Sequence, residues 1–221
     1  MKITACLLIF LINSLLSTAQ LHRGQWMVGG TADFGHAVND NTNSSFDQRI
    51  KRTVYNVFPG AGYFFMDRVV VGPRIKVFNS KTKDKANNSS LGFDYSNEKK
   101  ESGVGIGAFA RYYLFPPKNK LNAFAEAAYS YSIEKTKLDI QQVSQNPFGG
   151  FPTYTQFHSE SKSRVNYYSL NAGPVLFLSP KVSFEMSIGY TYGKGSNETT
   201  DLDQKTNQVT IGTGFQVYIG K

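Results

Sequence analysis

The chain has 221 residues, enough for one domain of moderate size or one barrel. Its formal net charge is +8, yet Lys and Arg are spread among turns and loops rather than gathered in one stripe. That spread excludes a nucleic-acid partner and suits a surface facing anionic lipid headgroups. The one cysteine, Cys6, falls in a leader-like amino terminus, and no later stretch reaches the length of a membrane-spanning helix, which excludes a disulfide framework and a helical span.

Met1 to Ala19 reads as a secretory signal peptide. Lys2 supplies the positive start, Ala5 to Leu16 is a largely apolar run, and Ser17-Thr18-Ala19 offers small residues to a signal peptidase. Gln20 would then open a domain of residues 20–221.

Strand candidates follow, each with period-2 alternation. In Gln25 to His36, Trp26, Val28, Ala32 and Phe34 share a face opposite Met27, Thr31 and Asp33. Arg52 to Phe65 presents Tyr55, Val57, Ala61 and Tyr63, although Phe58 and Phe64 fall on the other face. After a short bend at Met66-Asp67-Arg68, Val69 to Asn79 sets Val69, Val71, Ile75 and Val77 against Arg74 and Lys76.

The longest uninterrupted signal is the hairpin Gly103 to Glu134. Val104, Ile106, Ala108, Ala110, Tyr112 and Leu114 oppose Gly103, Gly105, Gly107, Phe109 and Arg111 on its first arm. Past Pro116-Pro117-Lys118-Asn119-Lys120, Leu121, Ala123, Ala125, Ala127, Tyr129, Tyr131 and Ile133 oppose Glu126, Ser130, Ser132 and Glu134. Arg164 to Leu178 carries Tyr168, Leu170, Ala172 and Leu176, with Tyr167, Val175 and Phe177 on the opposite face. Val182 to Gly193 alternates cleanly, Tyr190 and Tyr192 against Glu185, and the last strand sets Val209, Ile211, Phe215, Val217 and Ile219 against Gln208, Gln216 and Tyr218.

These segments predict about eight strands joined alternately by long and short connections. The polar stretches Ala37–Ile50, Ser80–Lys100, Leu138–Lys162 and Lys194–Gln204 read as long loops. Charges and glycines share one face while aliphatic and aromatic residues share the other. A soluble hairpin would turn its charges to water, whereas a membrane barrel turns them to its lumen. The fold class predicted is therefore an all-β, eight-stranded, antiparallel up-and-down transmembrane barrel with short periplasmic turns and long external loops. Pro59, Pro73 and Pro174 each remove a ladder donor, so a bulge is expected at each, helped by Gly60, Gly72 and Gly173.

Aromatic placement fits two interfacial belts, with Tyr55, Tyr129, Tyr131, Tyr168, Tyr190 and Tyr192 near the external ends and Trp26, Tyr63 and Tyr112 near the periplasmic ends. Inside the barrel the alternation places Asp33, Arg74, Lys76, Arg111, Glu126, Glu134 and Glu185. Charges of both signs in a narrow interior should pair, which predicts a salt-bridged plug around Arg74, Arg111, Glu126 and Glu185, with a small ion pathway as the other outcome.

With its signal Ser17-Thr18-Ala19-Gln20, its arm Pro59-Gly60-Ala61-Gly62-Tyr63-Phe64 running into Met66-Asp67-Arg68-Val69, and its closing Ile211-Gly212-Thr213-Gly214-Phe215, the chain resembles the small OmpA/OmpX-like outer-membrane β-barrels of the porin superfamily, in the form common in Bacteroidota. The resemblance implies export to the outer membrane, contact with its lipid including lipopolysaccharide, insertion by the barrel-assembly machinery, and a monomer. Members commonly end on an aromatic, and here Tyr218 or Phe215 would have to serve.

No cofactor or metal motif is present. Acyl hydrolysis would need a nucleophile, a His base and a carboxylate together. His36 with Asp33 and Asp40, and His158-Ser159-Glu160, are the only groupings to consider, and the reading is of a non-enzyme. Asn43-Ser44-Ser45, Asn88-Ser89-Ser90 and Asn197-Glu198-Thr199 match glycosylation acceptors by composition alone. Phe148, Phe151, Tyr154 and Phe157 in the third external loop are the candidates for binding an unknown surface partner. The function predicted is an envelope scaffold with external loops. The alternatives are a small pore or carrier for ions or apolar molecules, and a soluble ligand-binding barrel with the apolar face inward.

Overall fold

A computed structural model describes residues 21–42, 47–88, 93–116, 119–144, 152–197 and 203–220. The signal peptide, Phe148, Phe151 and most residues of the three acceptor triplets lie outside that set. Eight antiparallel strands occur in it: β1 (Trp26–Thr42), β2 (Asp47–Met66), β3 (Val69–Asn88), β4 (Phe93–Tyr113), β5 (Leu121–Ser144), β6 (Thr153–Ser179), β7 (Val182–Asn197) and β8 (Asp203–Ile219). Each pairs with its sequence neighbour, and β8 returns to β1 to close a barrel.

Side chains alternate between bore and exterior as period 2 dictates. Ile106, Val209, Leu170 and Ile211 are 69%, 68%, 65% and 64% exposed, while Glu185 and Arg111 are 1% and 4% exposed. The chain is folded inside out relative to a water-soluble sandwich. Along the apolar band large aliphatics face outward, while Arg74, Arg111, Glu126 and Glu185 are buried in the bore.

Four expected loops are mostly strand. Lys81 to Asn88 pairs with Phe93 to Lys100, and Lys135 to Ser144 pairs with Thr153 to Lys162, so the barrel wall continues well beyond the apolar band. Hydrophobic periodicity misses such segments because Lys, Thr, Ser and Glu alternate without apolar contrast, while the ladder itself needs only backbone groups. Cross-strand ion pairs such as Lys81–Glu98 at 2.9 Å and Lys135–Glu160 at 2.6 Å lie on these extensions.

The bulges expected at the prolines are also absent. The β2–β3 register is the same at Val57↔Val77 and at Gly60↔Arg74, across Pro59, and the β6–β7 register is the same on both sides of Pro174. Register shifts occur at Phe64/Met66 and Phe177/Ser179, beside the short turns. Each strand residue aims its N–H at only one neighbour, so a proline can keep full pairing on the other side: Pro59 pairs with Gly30, Pro73 with Ala108 and Pro174 with Ala123.

The closing seam is shorter than the others. β1 and β8 pair from Trp26↔Ile219 to Asp33↔Gly212. Above that point β1 pairs with β2 alone and β8 with β7 alone.

The short-turn end is filled. Leu21, Phe64, Val70, Tyr113, Phe124, Val175, Phe177 and Tyr218 form a buried apolar cluster inside the barrel. The segment before β1 is stitched beneath it, with the Gly24 N–H donating to Phe64 O at 2.9 Å and the Phe64 N–H to Gln25 O at 2.9 Å. Arg68 holds the β2–β3 turn at a left-handed φ of 67°. Its amide donates to Leu21 O and its guanidinium lies over the Tyr112 ring, contacts that fix a conformation disfavoured for a long side chain.

Candidate functional site: a charged layer across the barrel bore

Directly above the apolar floor lies a hydrogen-bonded layer drawn from six strands, its ionised side chains coming from β3, β4, β5 and β7 and its neutral donors from β6 and β8. Arg111 on β4 is its centre. Its Nη1 donates to Glu185 Oε2 at 2.7 Å and its Nη2 to Glu185 Oε1 at 3.2 Å, a two-pronged contact with β7. Its Nε donates to Glu126 Oε2 on β5 at 2.8 Å.

Arg74 on β3 reaches the other Glu126 oxygen at 3.2 Å, and also donates to Ser169 Oγ at 2.9 Å. Asn171 on β6 and Gln216 on β8 donate to Glu126 and Glu185. Each carboxylate oxygen thus has a donor, which is what lets such a layer exist away from water. The guanidinium of Arg111 stacks over Phe124 at 4.2 Å and that of Arg74 over Phe58 at 5.1 Å.

Local sequence makes the reach possible. Arg74 and Lys76 pair across the β3–β4 ladder with Gly107 and Gly105. Glycine there leaves the bore open above β4, so the long cations can cross that strand to β5 and β6. A Cβ on Gly107 would lie 2.0 Å from Tyr129 O and 2.7 Å from Ser130 Oγ. On β8, Gly212 makes the same room for the Asp33 carboxylate, 2.1 Å from where its Cβ would sit.

Of the charged residues singled out by sequence, Arg74, Arg111, Glu126 and Glu185 are brought into one network. Lys76 stands apart, its Nζ 3.0 Å from the centre of the Tyr167 ring, and Tyr167 donates to Glu134 at 2.5 Å. Asp33 lines a cavity of about 30 Å³ above the network, together with Asn56, Thr191 and Thr210. That volume suits about two waters. Sequence reasoning missed the floor. Phe64, Tyr113, Val175, Phe177 and Tyr218 break the polar-in pattern, and their clustering at strand ends beside the short turns was the available signal.

The belt residues lie on the exterior. Trp26, Tyr55, Tyr63, Tyr112, Tyr129, Tyr168 and Tyr190 are exposed, and Tyr131 and Tyr192 are half-buried. Trp26 packs on Tyr63 and Tyr129 on Tyr168, with ring centres 5.3 and 5.4 Å apart. The Tyr129 and Tyr190 hydroxyls donate upward to Asn166 and Asn207. Eight positions separate Tyr55 from Tyr63 and twelve separate Leu121 from Ile133. At about 3.3 Å per residue and a tilt of about 40°, the apolar band between the rims is about 20–30 Å tall.

The other candidates do not assemble. Tyr154 and Phe157 are three residues apart on β6 and so project to opposite faces, while Phe148 and Phe151 lie outside the described residues. His158 bonds Asp139, while Ser159 projects to the other face, so that run holds no paired nucleophile and base. His36 Nδ1 contacts Thr53 Oγ1 at 3.0 Å.

The fold is an antiparallel up-and-down barrel with an inverted hydrophobic pattern. The chain is similar in structure to the N-terminal β-barrel domain of Pseudomonas aeruginosa OprF, at 11% identity over 89% of this chain and 98% of that one, with a TM-score of 0.41. It is also similar to the outer membrane protein OprG of the same organism, at 12% identity over 92% and 100% with a TM-score of 0.43, and to Neisserial surface protein A, at 16% over 88% and 99% with a TM-score of 0.37. No family model and no curated protein matches the sequence.

Proposed function

We propose that the protein is a transmembrane β-barrel of a bacterial outer membrane, a sealed scaffold that carries a rigid β-sheet extension above the lipid. One observation carries this reading: the outward face holds the aliphatic band between two aromatic rims, while the inward face holds a fully hydrogen-bonded charged layer. Only lipid makes that inversion favourable, at about 25 cal/mol per Å² of apolar surface removed from water. The apolar floor and the charged layer together seal the bore.

The test is to refold residues 20–221 into detergent and liposomes and compare unboiled with boiled samples on a denaturing gel. Faster migration of the unboiled form, with blue-shifted Trp26 emission in liposomes, is expected. A chain that stays dispersed without detergent and shows no mobility shift would reject the reading. In planar bilayers the sealed bore predicts conductance at the lipid background.

A second reading, passage of small apolar molecules sideways from the upper bore into lipid, draws on the β1–β8 ladder ending at Asp33↔Gly212. Uptake of a small hydrocarbon by proteoliposomes faster than by empty vesicles would favour it over the sealed scaffold.

A further inference from the structure

Asp33 differs from the other carboxylates of the bore in what it touches. Glu126 and Glu185 meet guanidinium groups, and Glu134 accepts from Tyr167, whose ring carries the Lys76 ammonium. Asp33 accepts from the Thr210 hydroxyl and has no cation in contact among the described residues. Arg74 lines the same cavity, but its guanidinium is held by Glu126, Ser130 and Ser169. A half-buried charge inside a barrel wall is costly without a partner.

Two glycines hollow the wall beside it. A Cβ on Gly212 of β8 would lie 2.1 Å from Asp33 Oδ1 and 3.0 Å from Ser187 Oγ. A Cβ on Gly189 of β7 would lie 2.0 Å from Asn171 Oδ1 and 3.3 Å from Thr210 Oγ1. Gly212 pairs with Ser187 and Gly189 with Thr210, so the two hollows are neighbours on the inward face of one ladder. Asn171 gives its amide N–H to Glu126, which leaves its Oδ1 toward the hollow. Side-chain oxygens from β1, β6, β7 and β8 thus line the same cavity of about 30 Å³, one of them a carboxylate and the rest neutral. With neither sulfur nor imidazole among them, this is a donor set for a hard cation.

We propose that the cradle holds one monovalent alkali cation of about the size of sodium. One carboxylate balances one positive charge, and neutral amide and hydroxyl oxygens replace the ion's water shell. A space for about two waters takes the ion and one retained water. The site lies at the top of the short seam, where Asp33↔Gly212 is the last rung between β1 and β8. Bound to Asp33 of β1 and Thr210 of β8 at once, the ion clasps the two strands where their ladder stops.

The barrel, folded in uncharged detergent micelles, is titrated with sodium chloride and compared with N-methylglucamine chloride at equal ionic strength, which holds screening constant. The readouts are the sodium-23 NMR linewidth and amide exchange at residues 31–33 and 212–214. The wild-type chain should broaden the line saturably. At sodium about ten times its dissociation constant, exchange at the seam should slow about tenfold. Asp33→Asn should abolish both effects with the gel-mobility shift intact. Gly212→Ala should do the same while keeping the carboxylate, because its methyl meets only side-chain atoms of Asp33 and Ser187. Gly35→Ala should leave both effects in place. Equal seam exchange in the two salts, or broadening that survives both cradle substitutions, would overturn the site whichever variants fold.

Discussion

Arg111 holds two carboxylates at once, and that makes it the residue whose loss should cost most. Substituting it with Met leaves Arg74 on Glu126 and removes the cation that Glu185 contacts, so that Glu185 keeps only the amide of Gln216. Breaking a buried pair of this kind costs about 3–5 kcal/mol, to be read from urea unfolding of the barrel in lipid vesicles. Glu185→Gln keeps the shape and the contact with Gln216, and should cost about 1–2 kcal/mol. If Arg111→Met unfolds at the wild-type urea concentration, the layer is decoration rather than structure. Gly107 is the quieter partner. Gly107→Leu would push a side chain against Tyr129 O and across the path of Arg74, with an expected loss of about 1–3 kcal/mol, whereas Gly35→Ala, whose Cβ would meet nothing closer than 3.9 Å, should be nearly silent in the same assay.

At the level of the strand, the polar extensions are held by backbone ladders and by a few cross-strand ion pairs. Lys100 and Lys81 at Glu98, and Lys135 and Lys137 at Glu160, hold both carboxyls down to about 2, from an ordinary value of 4.5. A lowered folded-state value means that their contribution to stability is present above pH 4.5 and is lost as pH falls toward 2. Amide exchange in β3–β6 above Lys81 and Lys135, corrected for intrinsic rates, should therefore rise across that interval while the lower barrel stays protected. Protection that is flat over the same range would show that the ion pairs contribute nothing. The same segments explain what was legible in the sequence. Where apolar and polar residues alternated, as from Val182 to Gly193, the strand could be read directly. Lys81-Thr82-Lys83-Asp84-Lys85 alternates just as regularly, cations outward, but without apolar contrast it reads as a loop. Phe58, Phe64, Tyr167, Val175 and Phe177 blurred the reading for the opposite reason. They are apolar and inward, two of them serving as ring platforms for Arg74 and Lys76 and the other three as the floor. The paired charges could be inferred because both signs fell on one face, whereas which acid met which base depended on register, and register is not written in any single strand.

For the molecule as a whole, the eight strands form a ring whose joints differ in length. The β5–β6 ladder runs from Leu121 to Ser144, while the β1–β8 ladder stops between Trp26 and Asp33. In mechanical terms the wall has a tear line. Tethered by its two ends and pulled, the barrel should give way first along β1–β8, at a force below that of any later step, and then come apart as successive hairpins. A disulfide introduced by Thr31→Cys and Gly214→Cys, which face each other on that ladder, should remove the low-force step and leave the later ones in place. Read in reverse, a newly made ring would latch there last, and until it did the free margins of β1 and β8 would be the part of the chain most open to capture by another strand.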